Sequence, residues 1–331
     1  MKEEEIRPKE IFDKFLELAK EDTISLFSEK DAFEYVHCPA CSIDNADFQF
    51  DKNGFKYVLC KNCGTLYVNP RATFVTIQKY YKHSKSTKYW TEHFYKDTEA
   101  QRREKIFKPR AEMIRDFIKK KIGEKVDVFA DIGAGYGTFC EEVRKLNVAD
   151  EIIAIEPSED LAKICERKGF SVIQLSLEEI GEILHNKVSF ATSFELFEHL
   201  HTPQKFLMSA RDILTEQGYL LLTTLNINGF DLQVLWEKSK SISPPHHLNF
   251  LNLDSLEGLL RKCGFRVVEK STPGFLDLDI VKNAYMEGNI EIDRFLRYLI
   301  EKTNDKVHED FQLFLQRNNL SSHMRIIAQK W

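Results

Sequence analysis

The chain has 331 residues, with 47 Lys and Arg against 52 Asp and Glu and a net charge of −5. That length can bury one large core plus a small satellite domain, and the mildly acidic balance is opposite to that of a protein that lives on nucleic-acid phosphates. No apolar run approaches the roughly 18 residues needed to span a membrane. The acidic opening Met1-Lys2-Glu3-Glu4-Glu5 also lacks an apolar signal segment, so a cytoplasmic location is expected.

Residues 1–35 read as a helical arm, with Ile11, Phe12, Phe15, Leu16 and Leu18 at helical spacing. Residues 36–70 follow as a small domain. Its pairs Cys38-Pro39-Ala40-Cys41 and Cys60-Lys61-Asn62-Cys63 are separated by eighteen residues. Each C-x-x-C makes a tight knuckle that offers two thiolates to one tetrahedral ion. Phe48 to Phe50, Phe55 to Leu59 and Leu66 to Val68 read as short strands around a turn at Asn53-Gly54. This is zinc-ribbon organisation. With four thiolate ligands the zinc is structural, since no coordination position stays open for chemistry. A pair of redox dithiols is the rival reading. Cys140, Cys165 and Cys263 stand alone in expected helices and read as buried apolar residues.

Residues 71–122 form a helical and aromatic linker or lid. Tyr80, Tyr81, Tyr89, Trp90, Phe94 and Tyr95 precede Arg102, Arg103, Lys105 and Arg110. Basic and aromatic residues together can stack on bases. They can equally form an amphipathic helix with a solvated basic face, or a lid whose aromatics close over a site.

From 123 to 331 the pattern is α/β. Strands are expected at 126–131, 151–156, 170–174, 188–193, 219–225, 265–269 and 323–329, with a helical insertion at about 276–318 as helices 276–287 and 291–318. Three helix boundaries have local signals. Ser158 precedes Glu159 and Asp160, with Gly169 past the helix end. Thr202-Pro203 opens the next helix, with Gly218 beyond it. Asp254 and Glu257 form a D-x-x-E cap. Such alternation implies a parallel sheet covered on both faces, with ligands at the carboxyl ends of its strands. Between the first strand and its helix lies Asp131-Ile132-Gly133-Ala134-Gly135-Tyr136-Gly137. A glycine-rich turn lets backbone N–H groups and a helix N-terminus approach a ligand closely. A dinucleotide fingerprint counted from Gly133 would need glycine at 138, where Thr138 stands.

The D-x-G-x-G-x-G order of Asp131, Gly133, Gly135 and Gly137 resembles motif I of class I S-adenosylmethionine-dependent methyltransferases. The resemblance implies a Rossmann-like doubly wound sheet beside the four-cysteine ribbon. It also implies that Glu156 binds the cofactor's ribose hydroxyls, with Pro157 and Ser158 following. Ser176 and Leu177 fall at the adenine-contacting segment, and the Ser176 hydroxyl is the expected contact in a chain without the usual Asp. Phe194 and Glu195 open the segment through His199 that borders the methyl site. The order of ribbon, aromatic linker and methyltransferase is similar to sugar C-methyltransferases and related enzymes of surface-glycan and antibiotic pathways. There a His after the fifth strand is the base, which implies His247. His246 replaces the family's frequent Glu, and the long C-terminal domain of those enzymes is absent, which argues against C-methylation specifically. His246 and His199 are further candidates for the base.

The expected function is methyl transfer from S-adenosylmethionine to a small polar acceptor, a sugar or nucleotide-linked sugar. The alternatives are an RNA methyltransferase gripping RNA through its ribbon, and a non-catalytic zinc-stabilised binding protein. The acidic charge and the lack of an N-P-P-F/Y tetrad after the fourth strand count against base N-methylation.

Overall fold

The computed structural model describes residues 2–27 and 33–331. Its centre is a seven-stranded sheet. The strands are β1 (Val126–Ile132), β2 (Ala149–Ile155), β3 (Ser171–Ile173), β4 (Val188–Phe194), β5 (Leu214–Leu225), β6 (Phe265–Ser271) and β7 (His323–Lys330). Their spatial order is β6-β7-β5-β4-β1-β2-β3. β5, β4, β1, β2 and β3 pair in parallel, and β7 runs antiparallel between β5 and β6.

The period of two in these strands explains both covered faces. Ala130, Ile132, Ala191, Leu220, Leu222, Ile326 and Ala328 enter one core with the helices Pro203–Ile213 and Leu253–Lys262. The intervening Phe129, Phe190, Leu221 and Ile327 enter another with the helices Lys108–Lys121 and Thr138–Leu146. Phe129 and Phe190 stack there at 5.6 Å. Cys140, Cys165 and Cys263 are buried, as expected.

Several sequence expectations need correction. The helix expected over 291–318 is two helices, Arg294–Lys302 and Asp305–Arg317. Asn304 restarts the second by accepting the Val307 N–H at 3.1 Å. The helix Leu253–Lys262 is capped by Asn252 and Ser255 rather than by Asp254 and Glu257, because Asn252 accepts the Ser255 N–H at 2.8 Å. Gly218 lies past the helix Pro203–Ile213 as expected, but the strand expected from 219 begins at Leu214 and includes it. The arm contains helices Glu3–Ile6 and Lys9–Leu26, residues 28–32 lie outside the described part, and Phe33–Glu34 is a strand paired with Arg71–Ala72.

The ribbon strands Ala46–Lys52, Phe55–Cys60 and Leu66–Val68 form a sheet whose fourth strand is Asn249–Phe250. Asn249 pairs with Tyr67 and Phe250 with Leu66. Cys38, Ala40, Cys60 and Tyr67 share a core with Leu253 and Leu256, so the ribbon packs against the body through continuous apolar contact. From Lys85 to Lys121 the chain is one helical run, with two wide π turns at Trp90–Phe94 and Arg103–Phe107. The arm anchors its start, since the Asp22 carboxylate accepts the N–H groups of Lys85 at 3.0 Å and Ser86 at 2.8 Å.

Candidate active site

β1 and β4 are adjacent although β2 and β3 follow β1 in the chain, so the strand order reverses between them. Ligands in open α/β sheets bind outside the carboxyl ends at such a point. Both ends carry the expected residues. After β1, Gly133, Gly135 and Gly137 all adopt positive φ, at 79°, 55° and 66°. A Cβ at Gly137 would come within 3.0 Å of the Cys165 sulfur, so the turn needs glycine there for space as well as conformation. Asp131 sits beneath the turn. It accepts from the Thr192 hydroxyl at 2.7 Å, and burial pushes its carboxyl up to about 6.

Glu156 ends β2 and is buried. Its carboxylate accepts the Gly135 N–H at 2.8 Å and the Ser158 N–H at 2.9 Å, one on each oxygen. Burial nonetheless raises its pKa. Each oxygen retains acceptor capacity, so the group fits a ligand diol laid beside the turn. Pro157 and Ser158 continue directly into the helix Glu159–Arg167. Past β3, Leu177 is buried against the β2 face. The Ser176 hydroxyl donates to Glu179 at 2.6 Å, in a cap that engages the group expected to contact adenine.

At the end of β4, Glu195 holds a left-handed φ of 49°. It accepts from Arg110 at 2.9 Å and from the Thr223 hydroxyl at 2.7 Å, and His323 lies 3.4 Å away. Burial alone would raise its carboxyl, but His323, Arg110 and Thr223 outweigh it and hold it down to about 2. Arg110 also lies over the Phe194 ring at 4.6 Å. Leu196 closes the gap to the turn, 3.2 Å from where a Gly133 Cβ would be.

Beyond Leu196 the chain makes one helical turn, Phe197–His199. Glu198 is buried and accepts from the Thr224 hydroxyl at 2.7 Å, and burial beside Glu195 raises it to about 8. His199 meets His247 with ring centroids 4.6 Å apart and His246 at 6.3 Å. Nδ1 of His199 lies 3.2 Å from the Tyr81 hydroxyl. His247 donates its Nδ1–H to the Ser241 carbonyl at 2.5 Å, which leaves Nε2 free. His246 is buried, and its Nε2 is taken by the Tyr80 hydroxyl at 2.6 Å. Burial lowers all three imidazoles, His246 to about 3 and His247 to about 4, so all are neutral near pH 7. Glu198 lies in the segment expected to border the methyl site, whereas Tyr81 and Arg110 carry no individual assignment from sequence. The i, i+3 spacing of Glu195 and Glu198 was the available signal for Glu198. Nothing local marks Tyr81.

The basic face expected to be solvated along 102–110 is turned inward, because carboxylates and rings wait for it. Arg103 pairs with Glu99, Glu141 and Glu142 at 2.7 to 2.9 Å, Lys105 with Glu5 at 2.6 Å, and Arg110 with Glu195. Arg102 lies over the rings of Phe94 and Phe107. Lys168 joins Glu99 and Glu141, so this network ties the helical run to the helix that follows the glycine turn. Tyr95 stacks on Tyr136 at 5.2 Å, and a Cβ at Gly135 would lie 3.5 Å from its hydroxyl oxygen. The aromatic run therefore covers the turn.

The four ribbon sulfurs lie within 4.8 Å of one another, with Cys38 to Cys63 at 3.5 Å and Cys41 to Cys60 at 3.6 Å. One tetrahedral zinc with bonds of about 2.3 Å needs sulfurs about 3.8 Å apart, so the cluster fits that ion. The ribbon also supports the histidine segment. The Tyr57 hydroxyl donates to the His247 carbonyl at 2.8 Å, and the Val68 N–H donates to the Leu248 carbonyl at 3.0 Å. Buried Arg71 donates to the Asn249 side chain at 3.1 Å and the His201 carbonyl at 2.9 Å.

Residues 99–270, just over half of the chain, match the model of a methyltransferase-domain family. A solved structure shares the fold. The plantazolicin methyltransferase BamL, solved with a triazolic desmethyl analogue and SAH, is 14% identical with a TM-score of 0.52; the alignment covers 77% of this chain and 94% of that one. A SAM-dependent methyltransferase from Archaeoglobus fulgidus is 18% identical with a TM-score of 0.44, over 66% and 94% of the two chains. A possible histamine N-methyltransferase from Thermotoga maritima is 18% identical with a TM-score of 0.44, over 73% and 100%. No curated protein matches the chain.

Proposed function

The chain belongs to this methyltransferase-domain family and is an S-adenosylmethionine-dependent methyltransferase; from that premise we propose that its acceptor is a small polar molecule, a sugar or nucleotide-linked sugar. The supporting observation is the pairing of two sites across Leu196. On one side Glu156 presents a buried carboxylate at a glycine turn. On the other, neutral imidazoles of His199 and His247 lie beside Glu198. S-adenosylmethionine supplies an electrophilic methyl group. In this reading Asp131, Gly133, Gly135 and Gly137 shape the turn, and Glu156, Pro157, Ser158, Ser176 and Leu177 line the cofactor's sugar and base. Phe194 and Glu195 border its methyl end, and Tyr95 keeps water from the turn.

The protein's main task is then to hold the acceptor in line with the methyl carbon. An acceptor hydroxyl must also lose its proton, and that step belongs to the Glu198–His199–His247 cluster. His247 is the side chain on which activity should depend most, because its Nε2 is free. His246, locked to Tyr80 and packed 5.1 Å from Phe15, serves as support. The four ribbon cysteines hold a structural zinc. Four cysteines on one zinc and three buried thiols suit a reducing compartment such as the cytoplasm. The basic residues of the linker are turned toward carboxylates and rings, which counts against an RNA grip.

Calorimetric titration with S-adenosylmethionine and S-adenosylhomocysteine tests the cofactor site. Glu156→Ala should weaken both by about 10²-fold, the loss of charge-assisted hydrogen bonds of about 3 kcal/mol in total. Nucleotide sugars are then screened for S-adenosylhomocysteine release. Unchanged affinity in Glu156→Ala would remove the ribose assignment, and release with RNA but no sugar would overturn the acceptor class.

A further inference from the structure

We propose that Glu198, His199 and His247 form a second metal site, distinct from the ribbon, for a divalent first-row transition cation. A carboxylate oxygen and one nitrogen from each imidazole lie within 4.8 Å of one another. An ion about 2.1 Å from each donor would draw them closer by side-chain rotation. Two imidazoles and one carboxylate form the facial donor set that leaves coordination positions open.

What separates this cluster from a chance meeting of side chains is the set of bonds behind it. His247 donates Nδ1–H to the Ser241 carbonyl, which fixes the tautomer and turns Nε2 toward the cluster. His199 has its Nδ1 against the Tyr81 hydroxyl, so its Nε2 is likewise the outstanding nitrogen. Glu198 takes the Thr224 hydroxyl on one oxygen and keeps the other. Metal-ligating histidines and carboxylates are oriented in this way by an outer layer of hydrogen bonds. Glu195 stays outside the set because Arg110 and Thr223 occupy one of its oxygens and His323 faces the other at 3.4 Å.

The role of the ion rests on the methyltransferase reading, while its binding does not. The open positions would take oxygen donors of the acceptor, favouring one with adjacent hydroxyls. A hydroxyl held there becomes acidic and its proton passes to bulk water. His199 and His247 then act as ligands rather than as proton carriers.

The test uses the full chain with its ribbon loaded with zinc, titrated with Mn2+ while the resonance of free Mn2+ is followed. One Mn2+ per chain should bind. Glu198→Gln and His247→Ala should each weaken it by at least about 10-fold, and Tyr81→Phe by about 10-fold. S-adenosylhomocysteine affinity, measured on the same samples, reports folding and should survive in Glu198→Gln and Tyr81→Phe. Two results would overturn the site: no uptake of Mn2+, Co2+ or Zn2+ beyond the ribbon equivalent by protein that binds S-adenosylhomocysteine, or uptake unchanged in all three variants. Loss of S-adenosylhomocysteine binding with Mn2+ uptake intact would instead count against the cofactor assignment alone.

Discussion

The proposed cofactor side and the proposed acceptor side of this protein are built by different means. On the cofactor side the working groups come from residues 131–158, and each is placed by its own strand end. Gly133 and Ala134 bond back to Ile155, and Glu156 reaches Gly135 twenty-one residues away. The acceptor side is assembled from distant pieces. His247 is held from Tyr57, 190 residues earlier, and Asn249 from Arg71, 178 residues earlier. Local geometry makes the first side robust. The second depends on the ribbon and the helical run being in place.

The sharpest way to break this contrast is to unfold the ribbon. Replacing Cys41 and Cys63 together by Ser removes two of the four proposed zinc ligands, and in so small a domain a bound metal would supply much of the folding free energy. Methyl transfer, assayed with Mn2+ present, should fall by at least about 10²-fold, the cost of misplacing reacting groups by about 1 Å. S-adenosylhomocysteine affinity should move little. Equal loss of both would show that the two sides are not separable.

A pH titration compared between the wild type and Asp131→Asn isolates the share of the proposed cofactor side, because Glu198 titrates in an overlapping window. The Asp131 carboxyl titrates near 6 in the folded chain, above its ordinary value, so the native state binds more protons than the unfolded one between those values. The Asp131 contribution to stability therefore falls as pH rises through that window and is level above it. The drop should be about 2 to 3 kcal/mol. Asp131→Asn should remove that share of the drop in urea unfolding measured from pH 4 to 7, leaving the part carried by Glu198.

Smaller effects sharpen the border between the sides. Arg103→Ala removes the cation shared by Glu99, Glu141 and Glu142, leaving Lys168 and Lys145 to offset them, and should cost about 1 to 2 kcal/mol in thermal stability. It should also weaken S-adenosylhomocysteine binding, because Tyr95 rides on the same run. Tyr57→Phe removes one hydrogen bond to the His247 carbonyl, worth about 1 kcal/mol. It should lower turnover with the cofactor affinity unchanged.

The same division explains what could be read from sequence. The glycine turn, Glu156 and the alternation of strands and helices were legible because each is a short-range pattern. So were the four cysteines, whose spacing alone announces two knuckles. The strand Asn249–Phe250 was not legible, because two residues carry no period and gain their conformation only from Leu66 and Tyr67. Arg102, Arg103, Lys105 and Arg110 were expected in solvent because a basic helical face normally is. Their partners Glu5, Glu141, Glu142 and Glu195 lie elsewhere in the chain, and only the fold shows that they meet. The split of the helix at Asn304 was legible in principle, since Asn is a strong N-cap.

The four-stranded sheet shared by the ribbon and Asn249–Phe250 has a consequence for how such a protein can diverge. Drift at Tyr57, Leu66 or Tyr67 is felt at once by the histidine segment, so neither part can be exchanged for a foreign counterpart on its own. The two stretches are a single unit of inheritance although nearly 200 residues of chain separate them.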